Sequence, residues 1–319
     1  MKWGVIATGG IAQAVTADML KVEGVTVLAV SSRDVTRAQA FADRFGIERA
    51  YGDYHDLLAD PDVDVVYVAT PHGQHHEVTL AALDAGKHVL CEKAFALTVA
   101  DAEEMVEKAR SKGNLFLMEA MWTRFNPLVR KVHQAITDGE IGDVRSVRAS
   151  FGFAHTFDAN DRLWAKEAGG GAMLDLGVYP VALAHLLLGV PQEIHAWGGK
   201  APSDVDSDAG LLLGYPGGAH ALLSCSLVAN IGCEAEIVGT KGSIEIADPM
   251  FNAQKATING VEHTIENEGY THQIRAVEES IAAGLTENPL VTWQDTLEVM
   301  RTMQEALRQL GVSYATTVR

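Results

Sequence analysis

The sequence predicts an α/β protein in which a doubly wound parallel sheet is followed by an α+β domain with a large, open, mainly antiparallel sheet. Up to Glu119, short continuous apolar runs alternate with helix-length segments, which is typical of parallel strands covered on both faces. After Trp122 the runs alternate apolar and polar residues and are separated by turn sequences, which is typical of antiparallel hairpins. We therefore expect a Rossmann-like nucleotide-binding domain over residues 1–122 and a substrate-binding and oligomerisation domain over residues 123–319.

The first half contains five predicted strands and four predicted helices. The strands are expected at residues 4–7, 26–30, 65–69, 88–91 and 115–118, and the helices at residues 11–20, 36–45, 76–85 and 100–111. Open α/β sheets bind their ligands at the carboxyl ends of the strands. The residues that follow each strand are therefore the first candidates for a functional site.

The second half begins with a predicted helix at residues 128–137. Strands are expected at residues 144–153, 193–198, 209–215, 220–227, 233–238 and 243–246. The sequences Tyr215-Pro216-Gly217-Gly218 and Gly239-Thr240-Lys241-Gly242 supply turns between successive strands. Residues 273–283 and 293–310 have helical periodicity, and we expect these helices to pack back against the first domain.

Composition excludes several classes of protein. The net charge of -17 argues against nucleic-acid or anionic-membrane partners, since either needs a basic surface. We find no export signal and no apolar run of the roughly 20 residues that a membrane span requires. The three cysteines, Cys91, Cys225 and Cys233, form no CxxC pair and suit a reducing compartment, so a cytoplasmic protein is expected.

The sequence from Gly4 to Ala12 predicts a strand, a tight glycine turn and the start of a helix. The spacing is that of the G-x-G-x-x-A dinucleotide fingerprint, with Ala7 in place of the first glycine. A plain strand-to-helix turn is the alternative, but the flanking strand and helix favour nucleotide binding. The predicted cofactor contacts in this turn are Thr8, Gly9, Gly10, Ile11 and Ala12.

The end of the second strand indicates which nucleotide is bound. NAD enzymes commonly place an acidic residue here, whereas this chain has Ser31-Ser32-Arg33, with Arg37 one helical turn further. Hydroxyl and guanidinium groups suit the 2′-phosphate of NADP. Ser32, Arg33 and Arg37 therefore predict a preference for NADP(H), although Asp34 keeps NAD(H) as an alternative. The purely structural alternative for these residues is a capped helix with surface arginines.

Two further segments carry clustered polar residues. Thr70-Pro71-His72-Gly73-Gln74-His75-His76 follows a strand, and we expect Thr70, Pro71, His72 and His75 to contact the cofactor rather than a metal, because no acidic or thiol partner lies at a familiar spacing. The run from Asp204 to Gly210 imitates the start of a calcium loop, but its glycine is one position late. We predict a solvated acidic turn there, and no metal site.

A proton-transfer site is predicted from Lys93, Asp175 and Tyr179. Lys93 follows a buried strand, and Asp175 and Tyr179 share one helix face behind the glycine run 169–171. Hydride transfer at a carbinol needs a proton acceptor and a positive group for the alkoxide, and a nearby lysine would lower the pKa of a tyrosine. Taken separately, Lys93 reads as a surface charge, Asp175 as a structural hydrogen-bonding residue and Tyr179 as a core residue.

These motifs together resemble the glucose-fructose oxidoreductase and inositol dehydrogenase (Gfo/Idh/MocA) family over the whole chain. The resemblance rests on the nucleotide turn, the Thr70-Pro71-His72 segment with His75, Glu92-Lys93, Trp122-Thr123-Arg124, the run from Gly169 to Tyr179 and the hairpin at 239–242. Within the family, residues 118–125 and a tyrosine at 179 are similar to dimeric dihydrodiol dehydrogenases and NADP-dependent xylose dehydrogenases. Ala94 stands where a proline commonly follows Glu-Lys.

The resemblance implies an active site between the two domains and a homodimer or homotetramer formed through the second sheet. It implies Lys93 and Tyr179 as catalytic residues supported by Asp175. It also places Glu92, Trp122 and Arg124 near the cofactor, and a substrate pocket formed by Lys93, Trp122, Phe153, Trp164, Asp175 and Tyr179.

We therefore expect an NADP-dependent oxidoreductase acting on a small polyol or sugar. The alternatives are a trans-dihydrodiol dehydrogenase and a non-catalytic NADP-binding sensor or scaffold.

Overall fold

A computed structural model describes residues 1–315, so the end of the predicted second domain, residues 316–319, lies outside the described part. Within residues 1–315, six strands form a parallel sheet with the order β3-β2-β1-β4-β5-β6. These strands are β1 Lys2–Ile6, β2 Thr26–Ser31, β3 Arg49–Tyr51, β4 Val65–Val68, β5 His88–Cys91 and β6 Leu117–Glu119. The strand order reverses between β1 and β4, which opens a crevice at the carboxyl ends of these two strands.

Five helices cover this sheet in the described chain: α1 Gly10–Met19, α2 Val35–Phe45, α3 Tyr54–Ala59, α4 His75–Asp84 and α5 Val99–Lys112. Their ends follow from local side-chain chemistry. Asp34 accepts a hydrogen bond from the backbone N–H of Thr36 and starts α2, and Gly46 ends it at φ 69°. All four residues of β4 are fully buried, which is why this strand is continuously apolar.

The second sheet contains eight strands in the described chain, in the order β14-β13-β12-β11-β7-β10-β9-β8. They are β7 Val144–Gly152, β8 Glu193–Lys200, β9 Asp206–Gly214, β10 His220–Ser226, β11 Ala235–Gly239, β12 Ser243–Ile246, β13 Lys255–Ile258 and β14 Val261–Thr264. β7 and β10 pair in parallel, while the other neighbours pair antiparallel. The predicted class of fold is confirmed: a doubly wound parallel sheet joined to a large, mainly antiparallel one.

Four more helices complete the described chain: α6 Pro127–Thr137, α7 Val178–Leu188, α8 Thr271–Ala282 and α9 Trp293–Gln309. The last two return to the first sheet. The indole N–H of Trp3 donates a hydrogen bond to Glu278 in α8 (2.6 Å), and that of Trp293 in α9 donates to the carbonyl of Leu117 (2.9 Å). The carboxyl-terminal helices therefore fasten the two halves of the molecule together.

The sequence interpretation missed β3, α3, β13 and β14, all of which have six residues or fewer. It was also wrong about the acidic run. Asp206 is fully buried at the start of β9, where it accepts a hydrogen bond from the backbone N–H of Met173 (2.5 Å), and burial raises its pKa to about 7. Only Asp204 behaves as predicted, since it is exposed and pairs with Lys166 and Lys200.

The segment Lys166–Leu188 is long and apolar enough to cross a membrane by length and composition. However, 83% of its most apolar window is buried inside the fold, and the segment carries Asp175. These are the properties of a core helix. Within this segment, Met173–Gly177 forms a π-helical turn that continues directly into α7, a feature often found at functional sites.

Candidate active site

A cavity of about 1290 Å³ lies at the carboxyl end of the parallel sheet and is closed on its other side by residues of the second half. It brings together most of the residues that the sequence singled out. The predicted residues that line it are Thr8, Gly9, Gly10, Ile11, Ser32, Arg33, Arg37, Thr70, Pro71, His72, Glu92, Lys93, Trp122, Phe153, Asp175 and Tyr179.

Four predicted site residues do not line this cavity. Ala12 is fully buried in α1, and Trp164 is buried with its indole N–H donating to the carbonyl of Thr156 (3.0 Å). The ring nitrogens of His75 lie 2.9 Å from the carbonyl oxygens of Ala94 and Thr70, which leaves neither free for a cofactor. Arg124 points towards Asp295, 3.9 Å away. These four residues therefore contact other parts of the protein and do not line the cavity.

One end of the cavity fits an anionic pyrophosphate. Helix α1 begins at Gly10, and Gly9 precedes it without any side-chain cap on the first N–H groups. A Cβ atom added at Gly9 or Gly10 would meet nothing within 4 Å. Free N–H groups at a helix start, facing open space, are the arrangement that binds phosphate. Ala7 enters this turn with φ 95°, the conformation for which glycine is the usual residue.

Two arginines line the cavity beyond this turn. Arg33 and Arg37 are exposed and form no ion pair with any residue in the range 1–315. Asp34, between them, uses its carboxylate to accept the N–H of Thr36 (2.9 Å). The acidic group is therefore engaged as a helix cap, while the two guanidinium groups remain available to a phosphate.

Lys93 lies at the opposite end of the cavity. Its Nζ donates to the backbone carbonyl of Asp175 (2.7 Å), is 3.6 Å from the Asp175 Oδ1 atom and lies 4.8 Å from the centre of the Tyr179 ring. The peptide bond between Lys93 and Ala94 is cis. The His72 Nε2 atom is 3.0 Å from the Lys93 carbonyl oxygen, and the His75 Nδ1 atom is 2.9 Å from that of Ala94. Two buried histidines, His72 and His75, therefore contact the two carbonyls of the loop that follows β5.

Asp175 is the centre of the charged group. Its Oδ1 atom accepts a hydrogen bond from Nη1 of Arg162 (3.0 Å) and lies 4.0 Å from His72 Nε2. Burial alone would raise the pKa of this carboxyl, but the charges of Lys93 and Arg162 outweigh burial and hold the pKa well below its ordinary value. Asp175 is therefore a stable anion between two cations.

Tyr179 is buried, and its hydroxyl accepts a hydrogen bond from the indole N–H of Trp122 (3.1 Å). Burial raises the pKa of Tyr179 well above its ordinary value, and the carboxyls of Glu92 and Asp175 raise it further. This direction is opposite to the one expected from the sequence, because burial favours the neutral phenol and outweighs the hydrogen bond from Trp122. The Tyr179 hydroxyl is therefore neutral at ordinary pH.

An aromatic wall, which we define as Trp122, Phe151, Phe153, Phe251 and Tyr270, lies beside these polar groups. Trp122 packs on Tyr270 with ring centres 4.2 Å apart, and Phe251 is 5.2 Å from the ring centre of Tyr179. Sequence reasoning missed Phe151, Phe251, Tyr270 and Arg162. Phe151 could have been predicted, since it lies two residues before Phe153 in the same predicted strand and therefore on the same face.

Two family models match the chain. The oxidoreductase family with an NAD-binding Rossmann fold, GFO_IDH_MocA, matches residues 1–120, and the GFO/IDH/MocA C-terminal domain matches residues 129–245. The chain belongs to this family of oxidoreductases. It is thus an enzyme whose first domain binds a nicotinamide dinucleotide and whose relatives act on CH–OH groups of sugars and diols.

Individual relatives are similar over nearly the whole chain. A trans-1,2-dihydrobenzene-1,2-diol dehydrogenase of Mus musculus is 36% identical over 332 residues, covering 98% of each chain. The crystal structure of an aldose-aldose oxidoreductase from Caulobacter crescentus complexed with glycerol has a TM-score of 0.87 at 28% identity and covers 98% of this chain and 97% of its own. A 3-ketoreductase from Actinomadura kijaniata in complex with NADP and TDP-benzene has a TM-score of 0.86 at 28% identity, with 97% of each chain covered.

Proposed function

We propose that this enzyme is an NADP-dependent dehydrogenase or reductase that acts on a carbinol or carbonyl carbon of a small polyhydroxylated substrate, a sugar in the simplest case. The observation that carries the proposal is the convergence of Lys93, Asp175 and Tyr179 at one end of a single cavity. The other end presents the free start of α1 and the unpaired Arg33 and Arg37. When bound, NADP supplies the hydride acceptor or donor at the nicotinamide ring.

The chain's own residues supply the proton and the charge. Tyr179 donates its hydroxyl proton to the carbonyl oxygen in reduction and takes it back in oxidation, assisted by the Trp122 N–H that stabilises the phenolate. The Lys93 cation stabilises the developing alkoxide. Asp175 fixes Lys93 through its backbone carbonyl, and its carboxylate presents an acceptor for a substrate hydroxyl.

The test is a nicotinamide absorbance screen of aldoses, inositols and aryl dihydrodiols, with NADP and NAD in parallel. Lys93→Ala and Tyr179→Phe are expected to lower turnover about 100-fold or more while NADPH binding stays near that of the wild type. Tyr215→Phe is the matched control, because Tyr215 is also buried but lies outside the cavity. Near-wild-type turnover in both site variants would overturn the mechanism.

A trans-dihydrodiol dehydrogenase is the second candidate. The aromatic wall favours it, since Trp122, Phe251 and Tyr270 can pack against an unsaturated ring as well as against the apolar face of a sugar. The relatives named trans-1,2-dihydrobenzene-1,2-diol dehydrogenase favour it as well. Aldoses and trans-dihydrodiols compared in the same screen separate the two functions by their values of kcat/KM.

We further propose that the protein forms a homodimer or homotetramer through the second sheet. The outer face of this sheet exposes Trp197, which is 87% accessible, together with Leu212 and Leu222. Leu212 and Leu222 are direct cross-strand neighbours in β9 and β10. Exposed apolar side chains that lie next to one another are typical of an interface.

We also propose a cytoplasmic location. Cys91, Cys225 and Cys233 are free and buried, and a reducing compartment keeps thiols in this state. Cell fractionation with an antibody to the native protein tests this assignment.

A further inference from the structure

Arg162 is a cation at the reactive end of the cavity that the proton-transfer chemistry does not use. It lies between β7 and the π-helical turn, lines the cavity, and its side chain is 59% exposed. Within residues 1–315 its one hydrogen bond runs from Nη1 to the Asp175 Oδ1 atom (3.0 Å). A guanidinium group has five N–H donors, so the other donors of Arg162 have no hydrogen-bond partner in the described chain.

Arg162 shares its carboxylate partner with a second cation. Lys93 and Arg162 approach the same oxygen of Asp175, and within residues 1–315 Asp175 is the one carboxylate that either cation contacts. Two further carboxyls lie nearby and are engaged within the protein. Glu92 accepts a hydrogen bond from the Tyr67 hydroxyl (2.5 Å), and Asp161 accepts one from the backbone N–H of Leu163 (2.8 Å).

We propose that Arg162 binds an anionic group, a carboxylate or a phosphate, of the polyhydroxylated substrate whose reacting carbon lies between Lys93 and Tyr179. The inference rests on the proposed function and names the class of substrate: sugar acids or sugar phosphates. The planar guanidinium matches the oxygens of either group in a two-point contact. Because Arg162 and Lys93 contact one Asp175 oxygen, the anionic group and the reacting carbon fit within one small molecule.

The binding test uses compounds that NADPH cannot reduce. D-Gluconate and D-glucitol differ in one terminal group, a carboxylate in the first and a hydroxymethyl in the second, and D-glucitol 6-phosphate adds the phosphate case. Each is titrated by calorimetry into the intact protein saturated with NADPH. We expect gluconate or the phosphate to bind at least about tenfold more tightly than glucitol, as a charge-assisted pair predicts, and the tighter of the two identifies the anion.

Variants assign this preference to Arg162. Arg162→Met is expected to remove the preference for the anionic compounds over glucitol, and Arg162→Lys to restore part of it. Lys166→Met is the matched control, because it removes a charge from the same loop outside the cavity. Equal affinities for all three compounds in the wild type, or an equal loss for all of them in Arg162→Met, would overturn the inference.

The same inference predicts the order of substrates in turnover. With NADP, D-glucuronate should give a lower KM than D-glucose, and Arg162→Met should remove this difference by raising the KM for glucuronate more than the KM for glucose. If neutral sugars turn over and the acids have no advantage, the inference about Arg162 fails while the proposed function stands. If no sugar, acid or diol turns over but gluconate still binds through Arg162, the proposed function fails and the anion site stands.

Discussion

Ala7 holds a backbone conformation that an alanine side chain disfavours. Its φ of 95° places the residue where glycine is the usual choice, at the entrance of the nucleotide turn. We expect Ala7→Gly to raise the free energy of unfolding by about 1 kcal/mol, because relief of strain exceeds the extra entropy of the unfolded chain. The matched control is Ala42→Gly in the interior of α2, which should lower it by about 1 kcal/mol. Chemical denaturation measures both, and a loss of stability in Ala7→Gly would contradict the expectation.

In the proposed function, the choice between NADP and NAD depends most directly on Arg33. It is exposed, lines the cavity and has no ionic partner in the described chain. Arg33→Ala should weaken NADPH binding about 10- to 100-fold and change NADH binding by less than about twofold, since only NADPH carries the 2′-phosphate. Arg130→Ala, an exposed arginine in α6, serves as control. Fluorescence titration with both nucleotides checks the result, and equal losses would remove Arg33 from the phosphate site.

Tyr179 gives the reaction a pH dependence of known sign. Burial and nearby carboxyls raise its pKa, so the hydroxyl is protonated throughout the neutral range. Oxidation needs the deprotonated form, and its kcat should rise with pH without a plateau up to about pH 9; reduction needs the proton, and its kcat should stay flat over the same range. Rates measured in both directions between about pH 6 and 10 test this, under conditions in which the chemical step is rate-limiting. A plateau of the oxidation rate near pH 7 would assign the proton to another group.

The sequence could predict those site residues whose position follows from local pattern. Lys93 comes directly after a buried strand, and Asp175 and Tyr179 share a predicted helix face, so local pattern made them candidates, while the family resemblance implied that they meet in one site. Phe251 and Tyr270 lie in segments without a pattern, and only the tertiary fold brings them beside Trp122. His75 does not line the cavity and instead contacts the carbonyls of Thr70 and Ala94, because a polar side chain can face a ligand or bind a neighbouring loop, and the sequence does not distinguish these cases.

Helix α1 is the element that binds the pyrophosphate in this proposal. Gly9 has φ -70°, which alanine tolerates, and an added Cβ would meet no atom within 4 Å. We expect Gly9→Ala to leave the free energy of unfolding within about 0.5 kcal/mol of wild type. NADPH binding should weaken about tenfold, since the methyl group occupies the space between the N–H groups and the phosphate. Denaturation and nucleotide titration on one preparation separate the two effects, and unchanged affinity would place the pyrophosphate elsewhere.

Elements were predictable from sequence where they are long or strongly periodic. The strand pattern of β7 extends over nine residues, and its alternation gives its sheet face directly. β13 and β14 have four residues each, too few for alternation to stand out from a loop. The acidic run before β9 was misread because Asp206 is buried as the partner of a helix start, a role that depends on Met173 in a distant segment.

At the scale of the whole molecule, the two halves meet around one cavity and the second sheet keeps its outer face open. Helix α7 and the π-helical turn pack against the inner face, so the side chains of Asp175 and Tyr179 are held by both halves. The helices α8 and α9 tie the halves together through Trp3 and Trp293. The outer face has no such cover in the described chain, and its exposed Trp197, Leu212 and Leu222 are the basis for the proposed oligomer.

Leu222→Glu is expected to dissociate that oligomer into monomers. Leu222 is 45% exposed and pairs directly with Leu212, so a carboxylate there would be buried against apolar side chains of a second copy, at a cost of several kcal/mol. In the monomer the same side chain faces water, and folding should be unaffected. Leu285→Glu, on a loop after α8 with 43% exposure, is the matched control and should leave assembly unchanged. Sedimentation velocity gives the mass of each variant; if Leu222→Glu sediments as the wild type does, the interface lies on another surface.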